Sequence, residues 1–375
     1  MKIVVAADSF KGSLSSVQII EVSSRAIKKH YPDAQVVGVP IADGGEGTLE
    51  ALLELTCGQK IRARVHDPIG REIDAYCGQA DGCFFVEMAQ ASGITLLSEK
   101  ERDPLIASSL GTGEMIRLGL ELGFRNFIVG IGGSATNDGG TGLLHALGVR
   151  FIDGSGNEIK PCGENLLHIE SIDITGLDKR LLDSTITVMC DVDNPFTGAS
   201  GATYVYAPQK GAGEYELELL ERGMVKYKEK VIQELGIDMD AIAGAGAAGG
   251  VGGALCAFCK AKLRSGIVTL LEVADFESIL KGCSFVISGE GRIDSQSARG
   301  KAISGIAKVC AANGVPLYAV CGGIRGDVGW LYESGVKSIM PITRSPMSVE
   351  YAMQHAEYLL EDALDRMIRF INQTY

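Results

Sequence analysis

The sequence predicts a two-domain α/β protein in which a parallel-sheet domain is built from both chain ends and a mixed α/β domain is inserted between them. Three observations predict it. Apolar runs alternate with amphipathic stretches near both ends, the grammar of strands joined by helical crossovers. The strands at the two ends share one character, apolar and closing on glycine, whereas the middle is looser. At 375 residues the chain is also too long for one compact core.

In chain order, KIVVAA (2–7) is a buried-type strand, followed by a loop and an amphipathic helix over 16–29. QVVGVP (35–40) leads to a glycine-rich turn and a helix through LEALLEL (49–55). Residues 60–83 alternate polar and apolar side chains around a Pro-Ile-Gly turn, which predicts an antiparallel hairpin. The parallel grammar resumes with FFVEMA (84–89), a helix near 113–122 and NFIVGIGG (126–133). The middle offers a strand, TITVMC (185–190), a long charged helix over 214–235 and the glycine run GAGAAGGVGG (244–253). The C-terminal part reads as SFVISG (284–289), a helix near 301–312, PLYAVCGG (316–323), SIMPIT (338–343) and a helix over 348–371. The expected division is a Rossmann-like domain of 1–60, 84–133 and 284–375, and a second α/β domain of 61–83 and 134–283. Functional loops are expected at the carboxyl ends of strands and in a cleft between the domains.

Composition narrows the function classes. A net charge of −12 argues against nucleic acid or an anionic membrane surface as partner, since either needs a basic face. The N-terminus lacks a signal-peptide pattern and no apolar run approaches 18 residues, so a cytoplasmic location is expected. Ten cysteines without framework spacing then read as reduced thiols. Cys256 and Cys259 form a C-x-x-C inside an apolar helical stretch, with neither a second pair for zinc nor a redox setting. They read as packing residues, as do the five histidines, which fall in no ligand spacing.

The common nucleotide signatures fail. GxxxxGK[ST] is absent, because Ser295 and Ala302 break the nearest match at Gly300-Lys301. GxGxxG occurs as Gly244, Gly246 and Gly249, but no convincing strand precedes it, and a structural turn is the better reading. No protein-kinase set is present.

What recurs is an apolar strand followed by a glycine-rich loop bearing a carboxylate. It appears as ADSFKGS (7–13), ADGGEGT (42–48), GIGGSATNDGG (130–140), CDVDN (190–194) and SGEGRIDSQS (288–297). Five such loops, with Lys11 and Arg292 among the acids, point to a shared polyanion-and-metal site. Phosphoryl transfer asks for this inventory: amide donors, a cationic side chain and carboxylates on a divalent ion. Carboxylates without imidazole or thiolate favour Mg²⁺ over zinc. Asp191, ending TITVMC, and Glu290 are the candidate metal donors. Asp294 is the candidate general base, beside Arg292 as a neutralising cation. Lys11 is expected on an anionic group, and Asp8, Ser9, Asp43, Gly44, Gly132, Gly133, Ser134, Asn137, Asp138 and Lys301 on substrate or phosphate.

At these loops the chain resembles the bacterial type-I glycerate kinases, which make 2-phosphoglycerate. The resemblance runs through DSFKGSLS (8–15), ADGGEGT, EMAQASG (87–93), GTGE (111–114), VGIGGSATNDGG (129–140), CDVDNPFTG (190–198), PQKGA (208–212), GAGAAGG (244–250) and SGEGRIDSQS. It implies ATP and glycerate as substrates, Mg²⁺, attack by the 2-hydroxyl and a two-domain α/β fold with the site in the interdomain cleft. Two rival readings are an NAD-linked hydroxy-acid dehydrogenase, which needs a strand before Gly244, and a non-catalytic anion-binding regulatory module, which five acid-bearing loops disfavour.

Overall fold

The structure, a computed structural model, describes residues 1–294 and 302–372, with Asp294 described by its backbone alone. Two compact units emerge. One comprises Met1–Asp43, Glu50–Thr56 and Gly266–Tyr375, the other Gly44–Leu49 and Cys57–Ser265.

The first unit carries a five-stranded parallel sheet. β1 (Lys2–Ala7) and β2 (Gln35–Pro40) come from the N-terminal end, and β11 (Cys283–Asp294), β12 (Leu317–Arg325) and β13 (Val336–Pro341) from the C-terminal end. The spatial order is β13–β12–β11–β1–β2. From β1 the chain steps outward to β2 on one side, and from β11 outward to β13 on the other. The order therefore reverses between β1 and β11, where an open parallel sheet leaves a crevice at its carboxyl ends.

β1 and the first parts of β11 and β12 are nearly continuous buried runs because helices cover them. Helix Ser16–His30 turns Ile19, Val22, Ala26 and Ile27 into a core shared with Leu360, Leu364 and Ile368 of helix Ala356–Ile371. Ser15 caps the first helix through the amide of Gln18, whose side chain returns to Ser15, and Lys28, Lys29 and His30 face the negative end of the dipole. Ion pairs from Arg25 to Glu357 and from Lys29 to Glu361 border the same contact.

The second unit carries a six-stranded mixed sheet. β3 (Gln59–His66) and β4 (Glu72–Ala80) form the expected antiparallel hairpin. β5 (Cys83–Glu87) and β6 (Asn126–Gly130) follow, a small pair β7 (Arg150–Ile152) and β8 (Ser171–Asp173) stands apart, and β9 (Thr185–Met189) and β10 (Lys262–Arg264) complete the order β10–β9–β6–β5–β4–β3. Phe84, Val86, Phe127, Val129, Ile186 and Val188 carry its core.

The expected division is corrected here. The sequence pattern places residues 84–133 in the first domain, but β5 and β6 lie in the six-stranded sheet. The cause is the turn at Asp81 (φ 48°) and Gly82 (φ 75°), both in the left-handed region, which pairs Ala80 with Cys83. A two-residue Asp-Gly turn of this kind makes the next strand antiparallel to its predecessor, so β5 cannot leave the hairpin. The boundary at 283–284 also moves, since helices Gly266–Val273 and Phe276–Leu280 belong to the first unit.

Gly244, Gly246 and Gly249 do not follow a strand; a 3₁₀ turn, Met239–Ala241, precedes them. Gly249 (φ 67°) presses on the Thr136 carbonyl, with no room for a Cβ, and its own carbonyl accepts Gly139 N at 2.9 Å. The motif is a packing device, and the dehydrogenase reading loses its basis. Burial pushes the Cys256 and Cys259 thiols up to about 11 and about 12, which disfavours the thiolate that redox or metal chemistry needs. All ten cysteines are unpaired. Among the described residues no helix is long and apolar enough to cross a membrane.

Candidate active site

In the first unit the loops after β1 and β2 and the later residues of β11 carry charged side chains toward the carboxyl ends of the strands. Asp8 follows β1 directly, and its amide donates to Gly289 O at 2.9 Å, so the start of this loop is bonded to the neighbouring strand β11. The loop then folds back on itself: Phe10 N donates to Leu14 O at 2.8 Å, with Gly12 at φ 78°. This turn carries Lys11 at its exposed tip, 3.4 Å from Asp43 Oδ2 beyond β2. Ser16 Oγ links the two strand ends, donating to Ala7 O at 2.5 Å and accepting from Ile41 N at 3.1 Å.

Asp8 is the electrostatic outlier of these strand ends. Burial first, then the like charge of Asp43, pushes its carboxyl up to about 6, against opposing help from Ser9 and Lys11. Ser9 N donates to Asp8 Oδ1 at 2.6 Å. A carboxylate poised near neutrality can exchange a proton during turnover. On β11, Glu290 is 6% exposed and Arg292 is exposed, and strand alternation puts both on one face. Asp294 closes β11 by its backbone and its side chain is outside the described residues, as is Lys301.

In the second unit the loop Gly44–Leu49 and the strand ends of β5, β6 and β9 come together. Glu87 ends β5, fully buried, and accepts Leu49 N at 2.8 Å and Gly47 N at 3.4 Å. Gly132 N donates to Gly44 O at 2.9 Å, and Gly44 takes φ 94°. A Cβ on Gly132 would lie 2.6 Å from Gly45 Cα, so two backbones meet where a side chain has no room. Gly133 is exposed at φ 73°, with Gly132 and Ser134 half-buried beside it. Gly133 thus leaves backbone without a side chain at the surface of the unit, where an anion can approach closely.

Asn137 and Asp138, expected to face phosphate or metal, are fully buried instead. Asp138 accepts Ser109 N and Ser109 Oγ, each at 2.8 Å, Gly140 N at 3.0 Å and Gly142 N at 3.2 Å. Those bonds satisfy the orphan amides opening helix Thr141–Ala146 and fasten the segment leading into helix Leu110–Glu121. Burial raises its carboxyl while the four donors oppose the rise. Asn137 reaches Thr203 Oγ1 at 3.3 Å. Asp191, half-buried after β9, accepts Ser265 Oγ at 2.7 Å.

Sequence reasoning passed over Lys210. It is 2% exposed, and its Nζ donates to Ser134 Oγ at 2.9 Å and to Thr136 O at 2.6 Å. The only signal was its place in PQKGA, since a lysine beside Pro and Gly ordinarily reads as a surface turn.

No three Asp, Glu, His or Cys side chains form a metal cage among the described residues. Mg²⁺ commonly takes one or two carboxylates and completes its shell with water and phosphate oxygens, so Asp191, just past β9, and Glu290, within β11, are chemically suitable donors.

The comparisons with known proteins agree with one another. Residues 3–372 match the model of the glycerate kinase family. The glycerate 2-kinase of Escherichia coli K12 is 44% identical over 358 residues, covering 95% of this chain and 94% of that protein. The glycerate kinase of Bacillus subtilis 168 is 43% identical over 368 residues, covering 97% and 96%. A crystal structure from Salmonella typhimurium LT2, of a protein assigned as glycerate kinase 2, superposes with TM-score 0.87 at 39% identity, covering 100% of this chain and 99% of that one. Matches of this length and identity, over a chain whose strand-end loops carry the motifs, make it a member of the glycerate kinase family.

Proposed function

We propose that the protein transfers the γ-phosphoryl of ATP to the 2-hydroxyl of glycerate, giving 2-phosphoglycerate and ADP, as a cytoplasmic Mg²⁺-dependent kinase. The observation that carries this reading is kinship over residues 3–372 with proteins named for that substrate. The 2-position follows the name of the Escherichia coli relative. The chemistry of the strand-end loops supports it, because phosphoryl transfer asks mainly for positioning and charge stabilisation.

The roles follow residue chemistry. Gly133 and Ser134 offer N–H donors to phosphate oxygens from an exposed turn, which Gly132 anchors through its own amide bond to Gly44 O. Lys11 and Arg292, both exposed, are the cations for the glycerate carboxylate or the moving phosphoryl group, with Ser9 and Asp43 positioning the loop that carries Lys11. Asp294, from its place after Arg292, is the candidate base for the acceptor hydroxyl. Asp8 is a second carboxylate able to take that proton, and Lys301 is assigned to phosphate by sequence alone. Asp191 and Glu290 would hold Mg²⁺, which supplies charge neutralisation on the phosphate oxygens.

The test is ADP release from ATP over a panel of hydroxy acids, with the phosphorylated position read by ³¹P–¹H NMR. Turnover with glycerate and a 2-phosphate product supports the reading. No ADP release with glycerate overturns it, and a 3-phosphate product overturns the regiochemistry.

A further inference from the structure

Lys210 sits where an apolar residue would be the economical choice. It ends the 3₁₀ turn Pro208–Lys210, which Gly211 (φ 105°) closes tightly against the Arg102 carbonyl. Burying an amine this completely is costly unless it is paired. Among the described residues the carboxylate acting on it is Asp138, whose oxygens already accept four hydrogen bonds. Burial accordingly pushes the amine down to about 7, with Asp138 pulling the other way.

The two bonds Lys210 makes have a direction. Nζ donates to Ser134 Oγ and to the Thr136 carbonyl, so it approaches the loop after β6 from the interior. The outer side of the same loop is the exposed turn at Gly133. When Ser134 Oγ accepts from Nζ, its own hydrogen points elsewhere and is available to an acceptor on the outer side. The bond to Thr136 O meanwhile fixes the backbone two residues on.

We propose that Lys210 is a positioning residue for the nucleotide: from inside the fold it orients the Ser134 hydroxyl as a donor to a phosphate oxygen and holds the amides of Gly133 and Ser134 in register for the same anion. This rests on the reading that the loop handles phosphate. Lys210 touches no substrate itself. Its effect passes through Ser134, which makes the two residues one energetic unit.

The experiment uses the full chain with Mg²⁺ and compares Lys210→Met, Ser134→Ala and the double substitution. ATP affinity is read by titration calorimetry, which does not depend on the acceptor, alongside KM for each substrate and kcat. Lys210→Met is expected to weaken ATP binding about tenfold, in line with loss of one oriented donor, and to leave KM for glycerate within twofold. Ser134→Ala should do the same, and the double variant should be no worse than the worse single. ATP affinity within twofold of wild type in Lys210→Met, with only thermal stability altered, overturns the proposal. Multiplicative losses in the double variant also overturn it, since the residues then act independently. If Ser134→Ala leaves ATP binding untouched, the phosphate reading of the loop fails first, and the proposal with it. Should Lys210→Met not fold, Lys210→Leu, which also removes the donor, is read by the same ratios.

Discussion

Replacing Asp8 by Asn tests whether the strand ends of the first unit hold their carboxylates at a cost to stability. The Asp8 carboxyl is pushed from 3.8 to about 6 by burial and by Asp43. That rise of about 2 units corresponds to roughly 3 kcal/mol of preference for the neutral form, at about 1.4 kcal/mol per unit. Because the folded-state value is raised, folding binds a proton between about pH 4 and pH 6. Stability is therefore free of the penalty below about pH 4, falls as pH rises through that window, and carries the whole penalty above about pH 6. An asparagine cannot ionise, and its Oδ1 can still accept Ser9 N.

Asp8→Asn should then unfold at higher temperature than wild type at pH 7.5, with a gain of up to roughly 3 kcal/mol, and match wild type near pH 3.5. Activity should move the other way, falling about 10²–10⁴-fold if Asp8 takes a proton in turnover. Asp43→Asn should shift the acidic limb of the kcat/KM profile below pH 6, because it removes a like charge and frees Lys11 to approach Asp8. Ligand-free thermal unfolding across pH, with initial rates on the same samples, provides the measurement. An Asn variant less stable than wild type at pH 7.5, or a gain equal at both pH values, refutes the argument.

Three further outcomes follow from the second unit. Gly132→Ala forces a Cβ to within 2.6 Å of Gly45 Cα and should cost about 1–3 kcal/mol in unfolding measurements and raise KM for ATP, whereas Gly323→Ala, with nothing within 4 Å of its Cβ, should be neutral. Asp138→Ala strands the amides of Ser109, Gly140 and Gly142 and the Ser109 hydroxyl inside the fold, a loss of more than about 4 kcal/mol that should show as insoluble or unfolded protein by circular dichroism. EDTA should abolish ADP release, and Asp191→Asn should lower turnover at least tenfold with partial rescue by excess Mn²⁺, an order expected for a carboxylate on the catalytic cation; wild-type rates in metal-free buffer would refute the assignment.

The fold was legible where local physics decides it. The inner strands of the first unit are apolar on both faces because helices cover them, and that leaves a continuous run that sequence shows directly, as in KIVVAA. The ownership of β5 is also written locally, in the Asp81-Gly82 turn, whose chemistry is a stronger guide than the similarity of strand character that points to the first unit. The site divides differently. Asp8 and Asp138 present the same local text, an acid in a glycine-containing loop after an apolar strand. One stands at a strand end beside another carboxylate, while the other lies at the centre of four donors. What separates them is which distant amides point at each carboxyl, and Ser109 lies 29 residues from Asp138. Lys210 is the same case with the opposite sign of charge, since the loop it supports lies 74 to 76 residues away. Residue chemistry can therefore nominate the acids and cations of a phosphoryl-transfer site. Whether each meets the ligand or braces the loop that does is fixed by long-range packing, and a buried charge with all its bonds turned inward belongs to the bracing.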